Sequence, residues 1–156
     1  MKRTPIKRNE YLKPISREHH FGLLLCWKIR TGLTKNVAVS RIKNYADWYY
    51  QEHLLPHFDL EEKHVFTILG EENELVKKAL SDHRRLKRLF ESHIDLEKNL
   101  SLIEDELESH IRFEERVLFN KIQEIASDEQ LQSLKEIHKK GGFVDNIKDP
   151  FWSKKR

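Results

Sequence analysis

Twice in this chain a histidine is followed four residues later by a glutamate on a helical stripe that is otherwise apolar: His57 with Glu61, and His110 with Glu114. A helix advances about 100° per residue, so positions three, four, seven and eight apart share a face. Around His110 that face carries Ile103, Leu107, Phe113, Val117 and Leu118, and around His57 it carries Tyr50, Leu54, Val65 and Ile68. Burying an unpaired carboxylate costs several kcal/mol or forces it to take up a proton. A fold that accepts this pattern twice must therefore bring compensating groups into its interior.

The rest of the sequence predicts where that interior forms. Five Gly and four Pro in 156 residues leave few breaks, which implies an all-α chain of one domain. Residues 1–14 are basic, hold Pro5 and Pro14, and read as an extended N-terminal segment. A first helix is expected from about Ser16 to Leu33, and a second from Val39 to Leu69, stopped at Gly70 and bent near Glu52 because Pro56 removes a backbone donor. A third is expected over Glu72–Lys98. Ser101 and Glu104 have the spacing of a capping box that would open a fourth helix reaching Ala126. Ser127 and Gln130 form a second such box, opening a short fifth helix that ends before Gly141. Four long helices joined by short turns predict an up-down-up-down four-helix bundle over residues 15–126. Residues 127–156 then form a short helix and a C-terminal tail packed on it. Trp27 is expected in the core.

Two further helices each carry a histidine on an apolar stripe. His83 lies with Val76, Ala79, Leu80, Leu86, Phe90 and Ile94. On the first helix His19 and His20 compete; His19 shares the stripe of Ile15, Leu23, Cys26 and Ile29, whereas His20 meets Ser16, Arg30 and Thr34, so phase selects His19. Four facing helices would thus converge four imidazoles and the carboxylates of Glu61 and Glu114 at one level. Imidazoles supply terminal ligands and carboxylates can bridge two cations, a donor set that suits iron best and that zinc or manganese could also occupy. Glu62 and Glu115 point aside from the stripe and read as solvated or paired with Lys or Arg. His53 and His64, about one turn either side of His57 and Glu61, read as solvent-facing or capping groups, with a donor behind the ligands or a substitute ligand as the alternatives. Cys26 reads as an inert core thiol.

These residues resemble the hemerythrin-like family, the HHE cation-binding domain. The resemblance covers about residues 15–126, and its carriers are Ser-Arg-Glu-His-His at 16–20, His57-Phe-Asp-Leu-Glu61-Glu62, Asp82-His83 and His110-Ile-Arg-Phe-Glu114-Glu115. It implies a bundle enclosing two non-haem iron ions with an oxo or hydroxo bridge, with His19, His57, His83 and His110 as terminal ligands and Glu61 and Glu114 as bridging carboxylates. The oxygen-carrying members bear a second histidine four residues after the one on the third helix; here that position is Lys87. The four-His, two-Glu set is more similar to bacterial relatives implicated in nitric-oxide or oxidative damage responses and iron-centre repair.

Composition narrows the partners. Lys plus Arg number 29 against 26 Asp plus Glu, a net charge of +3, too small and too evenly spread to predict a nucleic-acid surface. No apolar run approaches the roughly 20 residues that span a bilayer, and no secretory leader is evident at the N-terminus. One cysteine excludes an internal disulfide. The expected protein is cytoplasmic, with a small diatomic ligand or peroxide as its partner and no nucleic acid or membrane. A peroxide- or nitric-oxide-consuming enzyme is one alternative, and a metal-free helical interaction module is another.

Overall fold

The computed structural model describes residues 7–137 and 143–153 and contains no strand among them. The helices are α1 (Lys13–Thr34), α2 (Val39–Tyr49), α3 (Leu55–Leu60), α4 (Glu74–Glu91), α5 (Leu96–Phe113), α6 (Phe119–Ile125) and α7 (Asp128–Ile137). Two longer rods arise where these elements run on without a break. In the first, α2 and α3 are joined by a π turn at Tyr50–Leu54, and a second π turn comes after α3 at Glu61–Val65. In the other, α5 and α6 are joined by a π turn at Glu114–Leu118. The loosening expected near Glu52 is the first π turn, which stands just before Pro56, the residue that cannot donate to the preceding turn.

The chain reverses where backbone chemistry allows it. Gly70 has φ +91, a left-handed conformation that glycine adopts at little cost, and ends the stretch that began with α2, as expected. Asn73 then caps α4, its side chain accepting from the Leu75 and Val76 amides at 2.8 and 3.4 Å. The next reversal differs from the sequence expectation. α4 stops at Glu91, Ser92 is extended, Asp95 turns left-handed at φ 51, and α5 already begins at Leu96. Ser101 therefore lies inside α5 and its capping box does not form. Capping residues act only where apolar packing ends the helix, and here the buried run of α4 ends with Leu89 and Phe90 while Ile94 is left exposed. The Ser127 box does form: the Ser127 amide donates to Gln130 Oε1 at 2.9 Å, and the Gln130 amide to Ser127 Oγ at 3.1 Å.

Apolar residues gather in two clusters with a polar layer between them. One contains Leu25, Ile29, Ile42, Tyr50, Leu86, Phe90, Leu100 and Ile103; the other contains Leu12, Ile15, Val65, Phe66, Val76, Ala79, Leu118 and Phe119. Each rod crosses from one cluster to the other. In chain order α1 goes from Ile15 in the smaller cluster to Ile29 in the larger, the α2–α3 stretch from Ile42 in the larger to Val65 in the smaller, α4 from Val76 in the smaller to Phe90 in the larger, and the α5–α6 stretch from Leu100 in the larger to Phe119 in the smaller. Trp27, expected in the core, is instead exposed, since it lies one step off the buried Cys26 and Lys28.

The tail packs without regular secondary structure. Phe151 is buried against Tyr45, and Lys28, itself buried, donates to Tyr45 Oη at 2.8 Å and Asp145 Oδ2 at 2.5 Å. The Lys28 ammonium also lies 3.9 Å from the Trp152 ring centroid, which offsets part of its desolvation. The stop before Gly141, expected for the fifth helix, lies outside the described residues.

Candidate metal centre

Each of the six residues singled out by helical phase reaches the polar layer. His19, His57, Glu61, His83, His110 and Glu114 are all buried, with Glu61, His83 and Glu114 at 0% exposure. His20, the rejected alternative, faces solvent, as does His64. Ligand atoms of His19, His57, Glu61 and Glu114 lie within 4.8 Å of one another, and so do those of Glu61, His83, His110 and Glu114. The two groups share both glutamates.

The π turns explain how the glutamates come to lie there. One begins at Glu61 and the other at Glu114, so in both rods a widened turn starts at the buried carboxylate. The extra residue delays the phase of the rest of the rod. His64 and Val117, seven residues after His57 and His110, are thereby turned outward, and Val65 and Leu118 pack inward in their place. Val117 was expected on the apolar face; the π turn accounts for its exposure.

The orientation of each imidazole is set from behind. Nδ1 of His19 meets Glu115 Oε2 at 2.6 Å, that of His57 meets Glu18 Oε1 at 2.6 Å, that of His83 meets Glu62 Oε2 at 2.6 Å and that of His110 meets Asp82 Oδ2 at 2.9 Å. An ionised carboxylate only accepts, so every Nδ1 donates and, in a neutral ring, every Nε2 is left as a lone pair aimed inward. Glu115 does pair with an arginine, Arg8, as one sequence reading expects, but the main partner of both Glu62 and Glu115 is a buried imidazole rather than solvent or a cationic side chain. One step off the inward face of a packed helix points toward a neighbouring helix, and a ring nitrogen waits there. The available signal was the acidic residue directly beside each buried member: Glu18-His19, Glu61-Glu62, Asp82-His83 and Glu114-Glu115.

The inward atoms are the unusual feature. Nε2 of all four histidines and both carboxylate oxygens of Glu61 and Glu114 are buried without a hydrogen-bond partner. Close approaches exist, such as His19 Nε2 to Glu114 Oε1 at 2.8 Å and His57 Nε2 to Glu61 Oε2 at 3.0 Å, but none is aligned as a hydrogen bond. Buried polar atoms are satisfied in the great majority of cases, so eight orphans pointing at common spaces fit a cation. Nitrogen lone pairs facing carboxylate oxygens repel unless a proton or a metal ion stands between them.

Metal-free, the cluster holds protons. Burial lowers the pKa of His57, but Glu61 and Glu18 outweigh it and raise it to about 9. Burial acts likewise on His110, and Glu114 with Asp82 raises it to about 9. His19 is held well above its usual value, burial being outweighed by Glu114, Glu115 and Glu61. For Glu61 burial favours the neutral acid, yet His57, His19 and His83 hold it well below the usual carboxylate range.

The layer is approachable from one side. A cavity of about 400 Å³ reaches His19, His57, His110 and Glu114. Phe58, which also lines the cavity, stacks on His83 at 3.7 Å between ring centroids, and Phe66 lies 5.4 Å from the same ring. Tyr49, a phenol held neutral by burial, and His53 line the cavity and are not part of the polar layer. Cys26 is buried in the apolar cluster, its thiol pushed up to about 12 by burial, which makes it inert.

Buried His and Glu groups that could hold a metal ion are therefore present, and no helix among the described residues is long and apolar enough to cross a membrane. No family model, curated protein or solved structure matches the chain.

Proposed function

We propose that the chain is a hemerythrin-like, up-down-up-down four-helix bundle that holds two non-haem iron ions and binds or senses oxygen, nitric oxide or a related small molecule, or handles iron. The observation that carries this reading is the set of eight buried, unpartnered donor atoms arranged as two groups with both glutamates in common. His19 and His57 would hold one ion, His83 and His110 the other, and Glu61 and Glu114 would lie between them. The alternating order in which the four rods cross the two apolar clusters supports the bundle.

Charge supports two ions rather than one. Six carboxylates surround the four imidazoles: Glu61 and Glu114 inside, and Glu18, Glu62, Asp82 and Glu115 behind the rings. Two divalent cations would offset four of these charges, and Arg8 on Glu115 with Lys78 on Asp82 would offset the other two. Iron bound there would supply redox chemistry and an electrophilic position for a small ligand. The protein's own part is to fix each ring through its Nδ1 partner, to pack Phe58 and Phe66 against His83, and to leave the other rings approachable through the cavity.

Metal analysis of the full chain purified after iron-replete expression tests the reading. About two iron ions per chain are expected; fewer than about one would favour a metal-free interaction module. The cavity also favours a second reading, an enzyme that consumes peroxide or nitric oxide, because a substrate needs a route to the site. Peroxide turnover by iron-loaded protein that is lost in His110→Ala would select it.

A further inference from the structure

A diatomic molecule or peroxide would fill only a small part of the cavity beside the polar layer. Its volume is about 400 Å³, whereas one water occupies about 30 Å³, and sites for organic ligands begin near 300 Å³. The cavity lies between α1, the π turn at Tyr50–Leu54 and α5, with walls that include Phe21, Leu54, Leu107 and Ile111. Gly22 keeps the α1 wall thin: a Cβ there would come within 2.8 Å of Ile111 Cδ1. The C-terminal tail supplies a further wall, where Phe143 stacks on Phe21 at 4.2 Å and lies 4.7 Å from His53.

The charges of the lining are unequal in availability. Glu18 is engaged with His57 Nδ1 and Glu114 belongs to the polar layer. Arg17 is exposed and has no ion-pair or hydrogen-bond partner among the described residues. A cavity whose surface is mostly apolar, with the imidazoles of the polar layer at one wall and one free guanidinium on its lining, matches a molecule with an apolar body and a single anionic group.

We propose that this cavity binds an organic monocarboxylate, an aliphatic or aromatic acid whose apolar body lies between α1, α5 and Phe143 and whose carboxylate is met by Arg17. This deepens the metal reading, and it rests on that reading only for what stands beside the bound acid.

The test is calorimetric titration of the full, iron-loaded chain with octanoate, octanamide and acetate, with iron measured on the same sample. Saturable octanoate binding is expected, with octanamide weaker by about tenfold or more, as for loss of a charged hydrogen bond, and acetate without measurable binding. Arg17→Gln, at an exposed position, should remove the preference for octanoate over octanamide, and Phe143→Ala should weaken both. Iron-replete protein that does not bind octanoate overturns the inference while sparing the metal reading. So does octanoate binding that is indifferent to both substitutions. Protein that takes up no iron under iron-replete expression and yet binds octanoate through Arg17 refutes the metal reading and upholds this one.

Discussion

Loading the centre with metal should expel protons, and the histidines set their number. In the metal-free protein His57 and His110 titrate at about 9, so at pH 7 each carries its second proton in all but about one molecule in a hundred. A ring that ligates through Nε2 must give that proton up. Two pH units correspond to about 3 kcal/mol per ring, so the pair lowers metal affinity at pH 7 by about ten-thousandfold relative to alkaline solution. The logarithm of the apparent affinity should therefore rise with a slope of about two between the ordinary histidine value and pH 9, and His19, also raised, steepens it. Calorimetry in buffers of different ionisation heat counts the protons directly. Release of fewer than about one proton at pH 7, or affinity that does not change over this range, would refute the reasoning. Stability should respond with opposite signs in the two forms. Because the folded pKa values exceed those of the unfolded chain, metal-free protein keeps the full histidine contribution below about pH 6.5 and loses it as pH rises through about 9. Iron-loaded protein should instead lose thermal stability as pH falls, because protons compete for the ligand atoms.

Asp82→Asn and Glu62→Gln leave the six inward residues untouched but weaken the acceptors behind His110 and His83; each should cost about 10- to 100-fold in metal affinity, read by competition with a chelator. Glu61→Ala and Glu114→Ala should each reduce iron content, and unchanged loading in both would remove the glutamates from the centre. Ile103→Ala, at a buried position of the larger apolar cluster, should destabilise by about 2–5 kcal/mol in urea unfolding of metal-free protein. Asn73→Ala removes the α4 cap and should cost about 1 kcal/mol in the same assay, with iron content unaffected.

Helical phase alone located the six inward residues, because a polar group on an apolar stripe is conspicuous at the period of the helix. It also separated His19 from His20. The carboxylates behind the rings were not legible in the same way. Phase says that Glu62 and Glu115 leave the stripe, but whether they meet water or a neighbouring helix depends on packing that a single helix does not encode. The turn between α4 and α5 was misplaced for a related reason. Ser101 and Glu104 have capping chemistry, but Leu100 and Ile103 are needed in the core, and that packing holds Ser101 within the helix. The π turns left no sequence signal beyond Pro56, since one extra residue in a turn changes phase without changing composition.

Those widened turns also decide where the chain can lose a residue. Removing Arg116 or Val117 would take out the extra residue and let that stretch relax into an ordinary α-helix, with Leu118, Phe119 and Ile122 kept at the phase that fills their apolar cluster. The same holds for Lys63 or His64, whose loss would leave Val65 and Phe66 facing inward. Single-residue deletions should therefore be tolerated at the exposed positions of either widened turn, as in the surface reversal at 92–95, and rejected within the regular part of α5, where a lost residue turns the two sides of the helix against each other by about 100°.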